Sequence, residues 1–378
     1  MASTYSLLLD GSPADDAIST AISSIEVEEN ADLPGAVLLK LAVSRTSDGD
    51  LDWPGDSRLA PFVNVAVVAT PEGESDQCIF DGFILSQRLH VETGITSSAL
   101  EVWGQDASWL MNMEEKVREW VDVTDADVAS SIFGDYGITP AGANSDDDSA
   151  SHTEDRNSLM QRATDIGFLQ MLARRDGKLC RVACTDTPGN RVGYFAKPDL
   201  SADPVVTLQP NDPQAPALGA LDIDWDVTRP TSVGASQATF DDDDPAGVSG
   251  DADDSGLSPL DARGLADFTG KTMTVLLTTP VADAGELGMR ARAMLRESEW
   301  FVRCEGEADV SRLHAVLRVG QIVEIDGIGT LHSGKYLVWS VRHTITGSAH
   351  RMRFRLVRNA VGPAASSGGA DGPLGGLL

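Results

Sequence analysis

Four cysteines, six histidines and a large stock of carboxylates are the side chains in this sequence that could do chemistry. Cys180 and Cys184 lie four apart in a strand-like run, which puts both on one face of a strand. No second pair stands at zinc-ligand spacing, so these two, with Cys78 and Cys304, read as free buried thiols in a reducing compartment or in a protein indifferent to disulfides. His343 and His350 flank a hairpin over residues 344–349 and can meet across it. With no third ligand nearby they are expected to be cross-strand surface residues rather than a metal site. His90, His152, His314 and His332 stand apart from one another in sequence. The run Gly250-Asp251-Ala252-Asp253-Asp254-Ser255-Gly256 has the flavour of a calcium loop but lacks the distal Glu and the full spacing of an EF-hand. Together with Asp146-Asp147-Asp148 and the acidic run 241–244, set among Gly, Ser and Pro, it reads as solvated loop.

Enzyme signatures are missing. There is no Gly-x-x-x-x-Gly-Lys-Ser/Thr, no Gly-x-Ser-x-Gly, no His-Glu-x-x-His and no Rossmann glycine run. A pair of glycosidase-type carboxylates would be uninformative in a chain with 58 acidic residues. Trp103, Trp109, Trp120, Trp225, Trp300 and Trp339 mostly lie in or beside strands and helices, where packing is the expected role rather than a sugar platform. No catalytic, cofactor-binding or metal residue is therefore assigned, and no cofactor is called for. The expectation is a protein without enzymatic activity.

Composition narrows the partners. The 378 residues carry 58 acidic against 29 basic side chains, a formal charge of −29 and a pI near 4.4. Such a chain does not hold DNA phosphates or an anionic bilayer by charge, so neither nucleic acid nor membrane insertion is expected. No stretch of about 18 apolar residues is present. The first ten residues have no charged n-region and reach Asp10 after three leucines, unlike a secretory signal. The acids are 41 Asp and 17 Glu, the bases 23 Arg and only 6 Lys. That bias suits a protein made at high salt, and equally a GC-rich coding sequence. An apolar share of 42% is enough for a buried core.

The elements that would position these residues are mostly short strands punctuated by Gly, Pro and Asp. Strands are expected over 5–11, 22–28, 35–43, 63–67, 78–86 and 98–104, the last two pairing with each other. A compact α+β unit follows. It has a short helix over 127–133 that stops near Gly134 and Gly137. A longer helix over 157–175 carries Leu159, Ala163, Ile166, Leu169 and Leu172 on the 3.6 period and ends at Gly177. A hairpin, 178–184 with 192–195, turns at Pro188-Gly189-Asn190. Strands return at 204–208 and 220–227, then an acidic Gly-rich loop over 240–264 and an amphipathic helix over 284–299. Strands over 300–307, 322–326, 336–346 and 352–357 complete a second β module. The fold class is thus β-rich α+β: a first tube-like antiparallel barrel over 1–110, a small α+β domain over 111–204, and a second barrel over 205–360. The second carries a loop-and-helix insertion at about 240–299. A flexible Gly-rich tail over 361–378 closes the chain.

A weak internal echo links the two β modules. Val63-Asn64-Val65-Ala66-Val67 precedes Phe80-Asp81-Gly82-Phe83-Ile84-Leu85-Ser86, and Gln321-Ile322-Val323-Glu324-Ile325 precedes His332-Ser333-Gly334-Lys335-Tyr336-Leu337-Val338. In each, an alternating strand leads through a turn to a glycine, an aromatic and aliphatics, which suggests a duplicated unit.

Several of these segments resemble the phage late control D family, the central baseplate hubs of contractile tails, whose module also forms the N-terminal part of VgrG spikes. The segment Thr164-Asp165-Ile166-Gly167-Phe168-Leu169-Gln170-Met171-Leu172-Ala173, closed by Gly177, is similar to that family's Thr/Ser-Asp-x-x-Phe-Leu-x-x-Leu-Ala pattern. Phe80-Asp81-Gly82-Phe83-Ile84 resembles its Phe-x-Gly-x-Ile strand. Leu221-Asp222-Ile223-Asp224-Trp225-Asp226-Val227-Thr228-Arg229-Pro230 resembles the opening of its second barrel. Residues 317–321 through Gly327-Ile328-Gly329, then Ser333-Gly334-Lys335-Tyr336 and Val341-Arg342-His343, resemble its closing segment. The set spans about residues 5–360 in the family's order. With no needle-like segment or hydrolase module recognisable in these 378 residues, a free-standing hub whose spike is a separate protein is expected.

What the resemblance implies is a homotrimer, each chain supplying two similar barrels, so that a ring of six units seats a six-fold tail tube while its three-fold symmetry mates with a trimeric spike. The implied partners are a trimeric spike, an inner-tube or tube-initiator protein and baseplate wedge proteins. Assembly would occur in the cytoplasm, in a virion tail or an injection particle. The acidity would serve either a negative lumen or an outward surface adapted to salt. The alternatives are a β-rich cell-wall-binding or peptidoglycan-degrading tail protein, and a VgrG-like effector adaptor.

Overall fold

A computed structural model describes residues 4–93, 98–142, 149–154, 158–210, 217–237, 248–281 and 284–362. The acidic runs 146–148 and 241–244, Asn157 and the tail from 363 lie outside the described residues. The fold is β-rich with few helices.

The first half contributes β1 (Thr4–Leu9), β2 (Ile22–Asn30), β3 (Ala36–Ala42), β4 (Asn64–Thr70), β5 (Gln77–His90) and β6 (Ala99–Asp106). Period-two alternation drives these strands: in β2 Ile25 and Val27 are fully buried, and in β3 Val37, Leu39 and Leu41 are, while the residues between them face out. The expected pairing of β5 with β6 is present.

The middle unit holds β7 (Glu115–Trp120), helix α1 (Asp125–Asp135), β8 (Leu159–Thr164), helix α2 (Asp165–Asp176), β9 (Leu179–Cys184) and β10 (Arg191–Ala196). The long helix expected over 157–175 is corrected here. Residues Leu159–Thr164 form a strand paired with β7, because Leu159 and Gln161 alternate inward while Met160 and Arg162 point out. The helix begins only at Asp165, where the Thr164 hydroxyl accepts from the Gly167 amide. It ends as expected at Gly177, whose φ of 65° is the left-handed cap that glycine reaches without strain. Helix α1 is longer than the short helix expected because Thr124 and Asp127 form a reciprocal capping box.

The second half supplies β11 (Thr207–Leu208), β12 (Leu218–Trp225), β13 (Ser232–Gln237), β14 (Thr274–Leu277), helix α3 (Ala284–Ser298), β15 (Val302–Asp309), β16 (Ile322–Ile325), β17 (Gly334–Ile345) and β18 (His350–Arg358). Strands β13 and β14 were not anticipated. They pair in parallel and carry Val233 and Ala235 onto Leu287, Ala291 and Leu295 of α3, so the insertion has a small core of its own.

The two β modules do not form separate sheets. One hydrogen-bonded sheet runs β12-β15-β18-β17-β2-β3-β6-β5-β4-β1, with β16 paired to β17 and β11 to β16. The halves join where β17 pairs antiparallel with β2. Within each half the same order recurs. β2-β3-β6-β5-β4 in the first matches β12-β15-β18-β17-β16 in the second, in the same sequence order and with every neighbour antiparallel. The faint echo around 63–86 and 321–338 marks the hairpins β4–β5 and β16–β17 of this repeat. A single hydrophobic core, from Leu7 and Ile25 to Val341 and Leu356, spans both halves.

Candidate assembly interface

The residues first considered for chemistry are placed as follows. Cys180 is buried and Cys184 half-buried on one face of β9, and all four cysteines are free. The Cys184 thiol donates to the Cys78 carbonyl at 2.9 Å. Burial pushes the Cys180 and Cys304 thiols up to about 12, which keeps them uncharged. His343 and His350 do meet across the β17–β18 hairpin, ring nitrogens 3.1 Å apart. The expectation of surface residues is corrected, since His343 is 0% and His350 3% exposed. Burial holds His350 down to about 4 and His343 well below its ordinary value, so both stay neutral. In the loop over 250–256, the Asp251 carboxylate accepts from the Ala235 amide at 2.7 Å and the Asp254 carboxylate from the Gly256 amide at 2.9 Å. These carboxylates cap backbone. Trp120 and Trp300 are packed inside, but Trp103 and Trp225 are about half exposed, against the core role expected of the tryptophans.

Sequence reasoning missed two buried polar clusters in the middle unit. The Asp125 carboxylate meets His152 Nε2 at 2.9 Å and the Arg175 guanidinium. Burial would raise Asp125, but the His152 hydrogen bond and the Arg175 charge outweigh it and hold the carboxyl below its usual range. Asp165 accepts from Lys116 at 2.5 Å, Tyr136 at 2.6 Å and Gln161 at 2.6 Å. The first ties the start of α1 to the end of α2, since Asp125 opens α1 and Arg175 closes α2, and the second ties α2 to β7, where Lys116 sits. No spacing rule finds the first, whose members lie 23 to 50 residues apart, and in the second Lys116 and Tyr136 stand 49 and 29 residues from Asp165, with Gln161 alone near it in sequence. A cleft of about 660 Å³ between α2, α3 and the sheet is lined by Arg174, Arg296, Arg303, Arg355, Trp300 and Trp339. Among its cations, Arg296 donates to the carbonyls of Ser255 and Asp176, and Arg355 to Glu305.

A chemically distinctive surface is one face of the eight-strand run β12-β15-β18-β17-β2-β3-β6-β5. Acidic and basic side chains face each other across its strands. Arg355 meets Glu305 at 2.7 Å, Arg351 meets Glu307 at 3.4 Å, Arg342 meets Glu28 at 2.6 Å, and Glu101 lies between Lys40 at 4.0 Å and Arg88 at 3.8 Å. In a chain of net charge −29 this face is mixed in sign. This run has an open edge on each side. Strand β12 has no neighbour beyond it among the described residues, and neither does the outer edge of β5 past the bulge at Ile84–Ser86. Such bare edges are templates for further strands.

The family model described as the Alg8 N-terminal domain matches residues 2–347. The chain belongs to that family. No curated protein matches it by sequence. Among solved structures it is similar to a tail protein of Neisseria meningitidis MC58, with TM-score 0.65, 14% identity, 96% of this chain and 98% of the other covered. It is also similar to the 43 kDa tail protein of prophage MuSo2 from Shewanella oneidensis, with TM-score 0.62, 14% identity, and 94% and 98% covered. A third is the E. coli c3393 protein, a component of the type VI secretion system described as similar to T4 bacteriophage tail proteins gp27 and gp5, with TM-score 0.54, 12% identity, and 95% and 79% covered. This member of the family thus has the fold of phage tail proteins and of a type VI secretion component.

Proposed function

We propose that this chain is a structural baseplate hub of a contractile tail or injection machine, a homotrimer that joins a six-fold inner tube to a three-fold spike and performs no bond chemistry. The observation that carries the proposal is the repeated strand order, which gives each chain two like units in one sheet. Three chains then present six like units, while the chain itself repeats only three times, which is what a seat for both symmetries requires. The fold shared with tail proteins and a type VI secretion component supports the same conclusion. The tube-like domains over 1–110 and 205–360 form the ring, and the unit over 111–204 faces neighbouring proteins. A trimeric spike, the inner tube or its initiator and baseplate wedge proteins are the partners. The mixed-charge sheet face lines the ring, and the acidic excess lies on other surfaces.

The test is the mass of the purified protein by light scattering at low and multimolar salt, followed by mixing with candidate spike proteins. A mass of three chains and capture of a trimeric spike are expected. A monomer in both salts that binds no spike, or a monomer that degrades peptidoglycan, sinks the proposal.

A further inference from the structure

The in-chain junction between the halves is a worked example of how two of these units join, and it can be carried over to the open edges residue by residue. Both long strands carry the same irregularity against their hairpin partners, at Ile84–Ser86 in β5 and at Val338–Ser340 in β17. Aligning these bulges sets Ser86 on Ser340, Arg88 on Arg342, Leu89 on His343 and Val91 on Ile345. The ladder then runs from Ser86 to Trp103, Leu38 and Glu26 in the first half. In the second it runs from Ser340 to Arg355, Glu305 and Asp222. Asp222 therefore stands where Glu26 stands, Ile223 where Val27 does, Asp224 where Glu28 does, and Leu221 where Ile25 does.

At the junction within the chain, Arg342 lies opposite Glu28, His343 opposite Val27 and Ile345 opposite Ile25. Arg342 and Glu28 form an ion pair at 2.6 Å, and the other four side chains are buried. We infer that subunits of the trimer join by antiparallel pairing of β5 of one chain, continued by Val91 just past its end, with β12 of the next, in the register Arg88–Asp224, Leu89–Ile223 and Val91–Leu221. The inference rests on the trimer proposed above. The occupant is a second copy of this chain, because each edge has its complement only at the other end of the same sheet.

Three observations fit that register independently of the alignment. Charges of opposite sign fall opposite each other, Arg88 against Asp224, on the same face as the Arg342–Glu28 pair. Apolar side chains fall opposite apolar ones on the other face, and they are unusually bare in the single chain: Leu89 is 40% and Val91 53% exposed, where their counterparts His343 and Ile345 are sealed. Strand direction is also consistent, since every neighbour along the eight-strand run is antiparallel and the added pair continues the alternation.

The test places cysteines at Leu89 and Ile223 in the full chain, oxidises the protein and runs it on a denaturing gel. The double variant is expected to give covalent two- and three-chain bands, and each single variant and a slipped pair, Leu89→Cys with Trp225→Cys, to give none. In parallel, Arg88→Asp or Asp224→Arg alone is expected to abolish the three-chain species in light scattering, and the two together to restore it. Rescue separates a broken contact from a misfolded chain. A wild-type trimer that crosslinks only in the slipped pair, or is indifferent to both charge reversals, overturns the register and leaves the hub standing. A wild-type protein that is not a trimer at any salt overturns both.

Discussion

Arg318 and Glu29, separated by 289 residues of sequence, are held side to side: Nε of the arginine donates to Oε1 of the glutamate at 2.6 Å. The same guanidinium donates to the Cys78 carbonyl at 2.7 Å, and Glu29 also accepts from the Val319 amide at 3.2 Å. The pair pins the loop before β16 to β2 and β5, so it fastens the second half of the chain to the first where the sheet becomes continuous. Burial works against the charge on Arg318, but the Glu29 carboxylate outweighs it and raises the arginine above its ordinary value.

Arg318→Met leaves a mostly buried Glu29 without its cation. A loss of about 3–5 kcal/mol is expected, the usual cost of breaking a buried pair from one side. Chemical denaturation of the variant beside the wild type measures it. Arg342→Met, at the exposed pair with Glu28, should cost less than about 1 kcal/mol.

The buried histidine pair makes stability fall in acid. His350 is held down to about 4 in the folded chain, whereas an unfolded histidine titrates near about 6.5. Its contribution is therefore fully present above about pH 6.5 and is lost as pH falls towards 4, because the unfolded chain takes up a proton that the folded one refuses. The span corresponds to about 3 kcal/mol at roughly 1.4 kcal/mol per pH unit. A His350→Gln variant should show a flatter dependence of unfolding free energy between pH 7 and 4. An unchanged slope would show that the pair is not the source.

Gly82, in the Phe80-Asp81-Gly82-Phe83-Ile84 strand, admits no side chain. A Cβ there would stand 2.0 Å from the Gln105 carbonyl oxygen and 2.7 Å from the Phe80 ring. Gly82→Ala must push β5 away from β6, at about 1–3 kcal/mol or more. A lowered melting temperature is the readout, with Gly142→Ala, which meets nothing within 4 Å, as the control.

Salt should stabilise the chain. With a net charge of −29, self-repulsion of carboxylates opposes folding, and the Debye length falls from about 30 Å at 0.01 M to about 3 Å at 1 M salt. The melting temperature is expected to rise over that range. A fall would mean that the cross-strand ion pairs of the mixed-charge face outweigh the repulsion.

The sequence by itself determined the local elements. Alternation in segments such as Val63-Asn64-Val65-Ala66-Val67, the 3.6 period of α3 and the glycine stop at Gly177 are short-range signals, and short-range backbone and burial preferences produce the elements they announce. It misplaced the start of α2, because Leu159 and Ala163 satisfy both a period of two and one of 3.6 until the pairing with β7 decides between them. The free thiols and the hairpin that brings His343 to His350 were legible too; the burial of that pair was not, since exposure depends on what packs over the hairpin. The candidate interface was legible only as a faint echo. That β17 pairs with β2, that the same strand order occurs twice, and that Arg88 and Asp224 end up on complementary open edges are products of strand order in space. Pairing between strands hundreds of residues apart leaves no spacing for a sequence to display, so only the tertiary structure decided it.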